Sequence, residues 1–112
     1  MTGDLLSVTR FLAAETLEDQ LREELREVID PELGIDVLSL GLVYGFELSG
    51  RTAAVLLTTT TPACPLGDYL TDEVRRVLLA TGAVDDVLVE LTHSPLWSPD
   101  LMSDEAKASF GW

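Results

Sequence analysis

Residues 42–59, LVYGFELSGRTAAVLLTT, decide the fold. Leu42, Tyr44, Phe46 and Leu48 recur at every second position, the period of a strand with one face buried. Ser49-Gly50 supplies a turn. On the return, Val55 and Leu57 fall on one face and Ala54, Leu56 and Thr58 on the other. The stretch reads as a β-hairpin. An isolated hairpin is marginal in water, so its apolar face needs a second layer. The chain supplies one on both sides. Upstream, TLEDQLREELREVI reads as a helix with Thr16 as N-cap, Asp19 three residues on, and an apolar stripe of Leu17, Leu21, Leu25, Val28 and Ile29. Asp30-Pro31 is expected to end it, because the residue before proline is pushed out of the helical region. The next stretch, DPELGIDVLSLG, reads as a loop holding a short apolar segment, Ile35 to Leu40. Downstream, LGDYLTDEVRRVLLATG reads as a helix with Leu66, Tyr69, Leu70, Val74, Val77 and Leu78 inside and Gly82 as its stop. VDDVLVELT is a third strand, with Val87, Val89 and Leu91 alternating. The end of the chain is a proline-broken loop and a short helix near Ser103 to Phe110. The expected fold is an α/β two-layer sandwich, helices on one face of a small three-stranded mixed sheet, in the order α-β-β-α-β-α. Residues 1–15 read as an arm and 16–112 as one domain.

The chain has 112 residues, of which 46% are hydrophobic. That is enough apolar material for one core and argues against global disorder. Twenty acidic residues against seven basic ones give a formal charge of −13. Phosphate backbones and anionic membrane surfaces are repelled, so nucleic acid and membrane are not expected partners. Basic proteins or cations are attracted, unless the charge serves solubility alone. No run is long enough to span a bilayer, and the first residues lack the basic and apolar regions of a secretory signal. One cysteine cannot form an internal disulfide. A cytoplasmic protein is expected.

That cysteine, Cys64, lies in TTTTPACPLGDY, residues 58–69, between Pro62 and Pro65 and with Asp68 just beyond. It falls where strand gives way to helix. A helix N-terminus presents unpaired N–H groups and partial positive charge, which stabilise a thiolate. Pro65 suits the first helical position, and Pro62 helps fix the loop. The alternative is a small buried cysteine filling a gap. In DPELG, Asp30 and Glu32 flank a proline, and Asp36 follows; such carboxylates can bind a metal or act as acid and base. The same residues also make an ordinary turn. His93, the only histidine, stands at a strand end as a possible ligand or proton carrier, or as a bystander. Trp97, between two prolines, is expected to cover one end of the core. Redox, zinc, nucleotide and hydrolase motifs are absent. A complete intramolecular cluster site is also absent, since a cluster takes about four ligands, mostly cysteine.

Taken together, VIDPELGIDVLSLGLVYGFEL, TTTTPACPLGDYLTDEV and SPLWSPDLMSDEAK resemble the iron–sulfur cluster assembly family that includes SufT-like and PaaD-like proteins and the eukaryotic cytosolic cluster-targeting component. The resemblance runs from about Leu17 onward. It implies a fold like the C-terminal domain of NifU-type proteins and a part in maturing or delivering iron–sulfur clusters. It places the family's reactive cysteine at Cys64 and its acidic motif at Asp30, Pro31 and Glu32. Thr61-Pro62 and Trp97-Ser98 also match. The chain lacks the cysteine-rich extension common in PaaD-like proteins, which favours the SufT-like branch.

The expectation is therefore a non-catalytic accessory factor. Cys64 contacts iron or a transiently held cluster, and Asp30 and Glu32 shape the site or add a hard ligand. Because one chain gives one thiolate, the remaining ligands come from a second copy, an assembly scaffold, a client apoprotein or a small thiol. A homodimer is the simplest symmetric case. The rival reading is an acidic interaction adaptor with a structural Cys64. An enzyme with a cysteine nucleophile is the weakest reading, because no motif brings His93 to Cys64.

Overall fold

In a computed structural model, the residues described are 16–62, 66–109 and 111. Helix α1, Leu17–Glu24, opens on Thr16, whose Oγ1 accepts the Asp19 N–H at 3.1 Å, as the sequence expects of an N-cap. A 3-10 turn, Leu25–Glu27, closes it. The helix stops sooner than the apolar stripe suggests. Val28 is already extended, and strand β1, Ile29–Asp30, pairs antiparallel with β2, Ile35–Asp36. Two β-branched residues ahead of Asp-Pro favour extension over helix. Leu21, Leu25 and Val28 are buried, but Leu17 and Ile29 face out.

Strands β3, Val43–Ser49, and β4, Thr52–Leu57, form the expected hairpin around Gly50, which has φ +59°. Helix α2, Gly67–Ala80, then crosses over to β5, Asp86–Leu91. The sheet order is β3-β4-β5, with β3 antiparallel and β5 parallel to β4. The sheet is thus mixed, and the α/β architecture is the one expected. The parallel pair requires a crossover, and α2 provides it.

Two side-chain assignments change. The register shifts between Val43 and Gly45, so Tyr44 is an inserted residue. Val43, not Tyr44, joins Phe46 and Leu48 against the core. The Tyr44 hydroxyl instead donates to the Pro95 carbonyl at 2.9 Å. In α2 the buried stripe is Gly67, Leu70, Val74, Val77 and Leu78, while Tyr69 is exposed and Leu66 half-buried. Gly67 has the place expected of an apolar side chain because a Cβ there would come within 3.1 Å of Leu91 Cδ1. The helix ends where expected, at Thr81, with Gly82 at φ +75°.

After β5 the chain returns as a strap over the β3 entrance. Trp97 Nε1 donates to the Leu40 carbonyl at 2.6 Å, and its ring packs on the core as expected. Gly41, φ +75°, lies so close under Leu101 that a Cβ would collide with the Leu101 carbonyl. Helix α3, Asp104–Ser109, completes the fold, with the Ser103 hydroxyl accepting the Ala106 N–H. No helix among the described residues is long and apolar enough to cross a membrane.

Candidate functional site: the approach to Cys64

Beyond Leu57 the chain leaves the sheet through the threonine run. Thr58 and Thr59 are buried, Thr60 is half-buried, and Thr61 and Pro62 are exposed. The Thr58 N–H donates to the Leu42 carbonyl at 2.8 Å, and the Thr92 N–H donates to Leu57 at 2.9 Å. These two bonds carry the ladder one step past the strand ends. Parallel register sets Leu57 opposite Leu91. Two residues further on, Thr59 therefore meets His93.

Thr59 Oγ1 lies 2.6 Å from the Thr61 carbonyl and 2.8 Å from His93 Nε2. A carbonyl only accepts, so the single hydroxyl proton goes to Thr61. The histidine must then be the donor, which fixes its Nε2 as protonated. One threonine thus joins the loop ahead of the cysteine to the segment behind β5. Thr59 was not singled out in the sequence. The signal was its membership of a threonine run at a strand end, legible only once β4 and β5 are known to run parallel. The neighbouring Thr58 Oγ1 is buried with no hydrogen-bond partner among the described residues.

Cys64 and Pro65 lie outside the described residues. Helix α2 begins at Gly67, two residues later than Pro65 as first helical residue would imply. Its N-cap, Leu66, makes no side-chain capping bond, and Asp68 is exposed in the first turn. Gly67 faces Leu91 and Thr59, whose side-chain atoms lie 3.1 and 3.9 Å from where a Cβ would stand.

The DPELG motif is the turn of the β1–β2 ribbon. Asp30 is 1% exposed. Its Oδ1 accepts the N–H of Glu32 at 2.8 Å and of Leu33 at 3.3 Å, while its carbonyl takes Gly34 N–H at 2.7 Å. Gly34 has the positive φ, +71°, that closes such a turn. Pro31 and Glu32 sit exposed at the tip. Asp36 serves the next turn, accepting Ser39 N–H at 2.9 Å. Turn chemistry accounts for one Asp30 oxygen. Among the described residues, no group of three or more His, Cys, Asp or Glu is arranged to hold a metal ion. The described geometry therefore unites Thr59, Thr61 and His93, gives Asp30 and Glu32 a turn of their own, and anchors Trp97 on Leu40. Beside the Trp97 strap, Tyr44, Leu56, Pro95 and Leu101 line an open cavity of about 600 Å³.

Residues 18–91 match the family described as "Iron-sulfur cluster assembly protein". The Fe-S protein maturation auxiliary factor YitW of Bacillus subtilis is 37% identical over 99 residues, covering 87% of this chain and 96% of the relative. The Fe-S protein maturation auxiliary factor SufT of Staphylococcus aureus is 41% identical over 85 residues, 75% of this chain and 97% of the relative. The crystal structure of a domain of unknown function from Bacillus anthracis superposes with a TM-score of 0.81 at 35% identity, covering 84% of this chain and 91% of that one.

Proposed function

Because the chain belongs to the iron–sulfur cluster assembly protein family, we propose that it is an accessory factor in the assembly of iron–sulfur clusters or their delivery to client apoproteins. One observation carries this reading: two named maturation factors are matched over 96% and 97% of their own length. The role is that of a cytoplasmic, non-catalytic factor working with an assembly scaffold or a client. Iron or a cluster is its cargo.

Cys64 is the residue that contacts the cargo. A thiolate is a soft ligand suited to iron–sulfur chemistry, whereas carboxylates are hard ligands. Two features support the assignment. In sequence, Cys64 precedes the first residue of α2, Gly67, by three positions, and that helix start has no side-chain cap; free N–H groups at such a start favour an anion. The loop leading to it is also pinned from both sides, by Thr58 to Leu42 and by Thr59 to His93. Asp30 holds its turn, and Glu32 at the tip offers a carboxylate as a hard ligand.

One thiolate per chain falls short of the roughly four ligands a cluster takes. Cargo is therefore shared and labile, held by two copies about a two-fold axis or by this chain and its partner. Anaerobic reconstitution with iron and sulfide, followed by transfer to an apoprotein, tests the reading. Wild-type protein takes up iron and sulfide and passes them on. Full transfer by Cys64→Ser would defeat the assignment of Cys64, and no uptake or transfer by the wild type would defeat the function.

A further inference from the structure

The described helices all pack on one side of the sheet, with Ala53, Val55, Leu57 and Val87 facing them in the core. The opposite side carries Gly45 and Glu47 from β3, Ala54 and Leu56 from β4, and Asp86, Leu88 and Glu90 from β5, by the register of the three strands. No described element covers it. Leu88 is 58% exposed there, on the strand next to Leu56. Gly45 and Ala54 stand low between taller neighbours and leave an open trough of about 530 Å³. Around this apolar floor the charge has one sign. Glu47 sits on one edge strand, and Asp86 and Glu90 sit on the other, all exposed. None of the three makes an ion pair among the described residues, whereas Arg26, Arg51, Arg75 and Arg76 are already paired elsewhere.

We propose that this outer sheet face is a docking surface for a basic amphipathic helix of a partner protein. Such a helix would lay an apolar side chain between Leu56 and Leu88 and bring Lys or Arg to Glu47, Asp86 and Glu90. Three features select this occupant. The backbone N–H and C=O groups of β4 are spent in its two ladders, so recognition there runs through side chains, not strand addition. A helix is the standard cover for a sheet face. The carboxylates on both edges oppose a second copy of this −13 chain and favour a cation-bearing one. None of these residues belongs to the stretch 58–65 that carries Cys64, so the proposal stands or falls independently of cargo binding.

The test uses the isotope-labelled full chain and a synthetic helical peptide of about 18 residues, five turns, with leucine on one face and lysine on its flanks. The expected result is amide shifts confined to Gly45, Glu47, Ala54, Leu56, Leu88 and Glu90, and binding that weakens with salt. Leu88→Gln, and separately Glu47→Lys with Glu90→Lys, should each weaken binding about tenfold with an unchanged melting temperature. A peptide with glutamate for lysine should not bind. Shifts spread over the whole acidic surface, or variants that bind as well as wild type, would overturn the proposal. So would two results without peptide. Shifts at these amides on deleting residues 1–15 would mean the chain covers its own face, and concentration-dependent shifts there would mean that a second copy does.

Discussion

Strand β4 enters at Thr52 from a turn that lies in water and leaves at Leu57 into a loop whose first two residues are buried. At the entry, Arg51 grips Asp85 with two nitrogens, at 2.7 and 2.9 Å, and reaches the Gly82 carbonyl at 2.9 Å. Every partner is exposed, so water and salt screen the pair and it adds little. At the exit, Thr58 and Thr59 are 0% and 3% exposed. Their hydroxyls are removed from water. One is used twice and the other has no described partner. Desolvated polar groups have large effects on stability, of either sign. The contrast separates an end that merely closes a hairpin from one that fixes the course of a loop.

The largest effect should come from the core beneath the exit. Leu70, in the first turn of α2, is fully buried. Leu70→Ala should destabilise by about 2–5 kcal/mol in denaturant unfolding. A loss below about 1 kcal/mol would mean that α2 is not anchored there. Next is Thr59→Val, which keeps the shape but removes the hydroxyl that bonds both His93 and the Thr61 carbonyl; about 1–1.5 kcal/mol should be lost. If stability were unchanged, the threonine would not be a clamp. Thr58→Val should act in the opposite direction, raising stability by about 1 kcal/mol, because it removes a buried hydroxyl without a described partner. Opposite signs at adjacent threonines are the sharpest form of the comparison.

The smallest effect belongs to the entry. Arg51 holds the Asp85 carboxyl below its ordinary value, chiefly through their hydrogen bond, and Arg76 does the same for Glu73. The folded state thus binds these protons less readily than the unfolded chain. Their contribution is complete above the unfolded carboxylate range, about 4, and is lost as pH falls through the lower folded values. Arg51→Ala should leave the melting temperature at neutral pH nearly unchanged and slightly flatten its decline below about pH 4. A large drop at neutral pH would erase the distinction between the two ends.

Regular periodicity made much of this fold readable in the sequence. The α2 stripe, the Thr16 cap, the Gly82 stop and the hairpin at Ser49-Gly50 all follow from local spacing. Tyr44 was misplaced because alternation predicts parity, and one inserted residue inverts it without changing composition. The early end of α1 was hidden because Leu21, Leu25 and Val28 keep helical spacing after the backbone has become extended. DPELG was legible as a turn, and the carboxylate of Asp30 bonds within it. The Thr59–His93 bond was not legible. Its partners are 34 positions apart, and only the parallel pairing of β4 with β5 aligns them.

The central claim is that Cys64 carries the cargo and that one chain cannot hold it alone. Sedimentation of anaerobically reconstituted protein at several concentrations, read by the absorbance of bound iron and sulfide, tests both parts at once. The account predicts that the colour travels with a dimer or larger species, dissociates on dilution, and is missing from Cys64→Ser. A strictly monomeric protein carrying a stoichiometric cluster, or a Cys64→Ser variant that retains one, would contradict it.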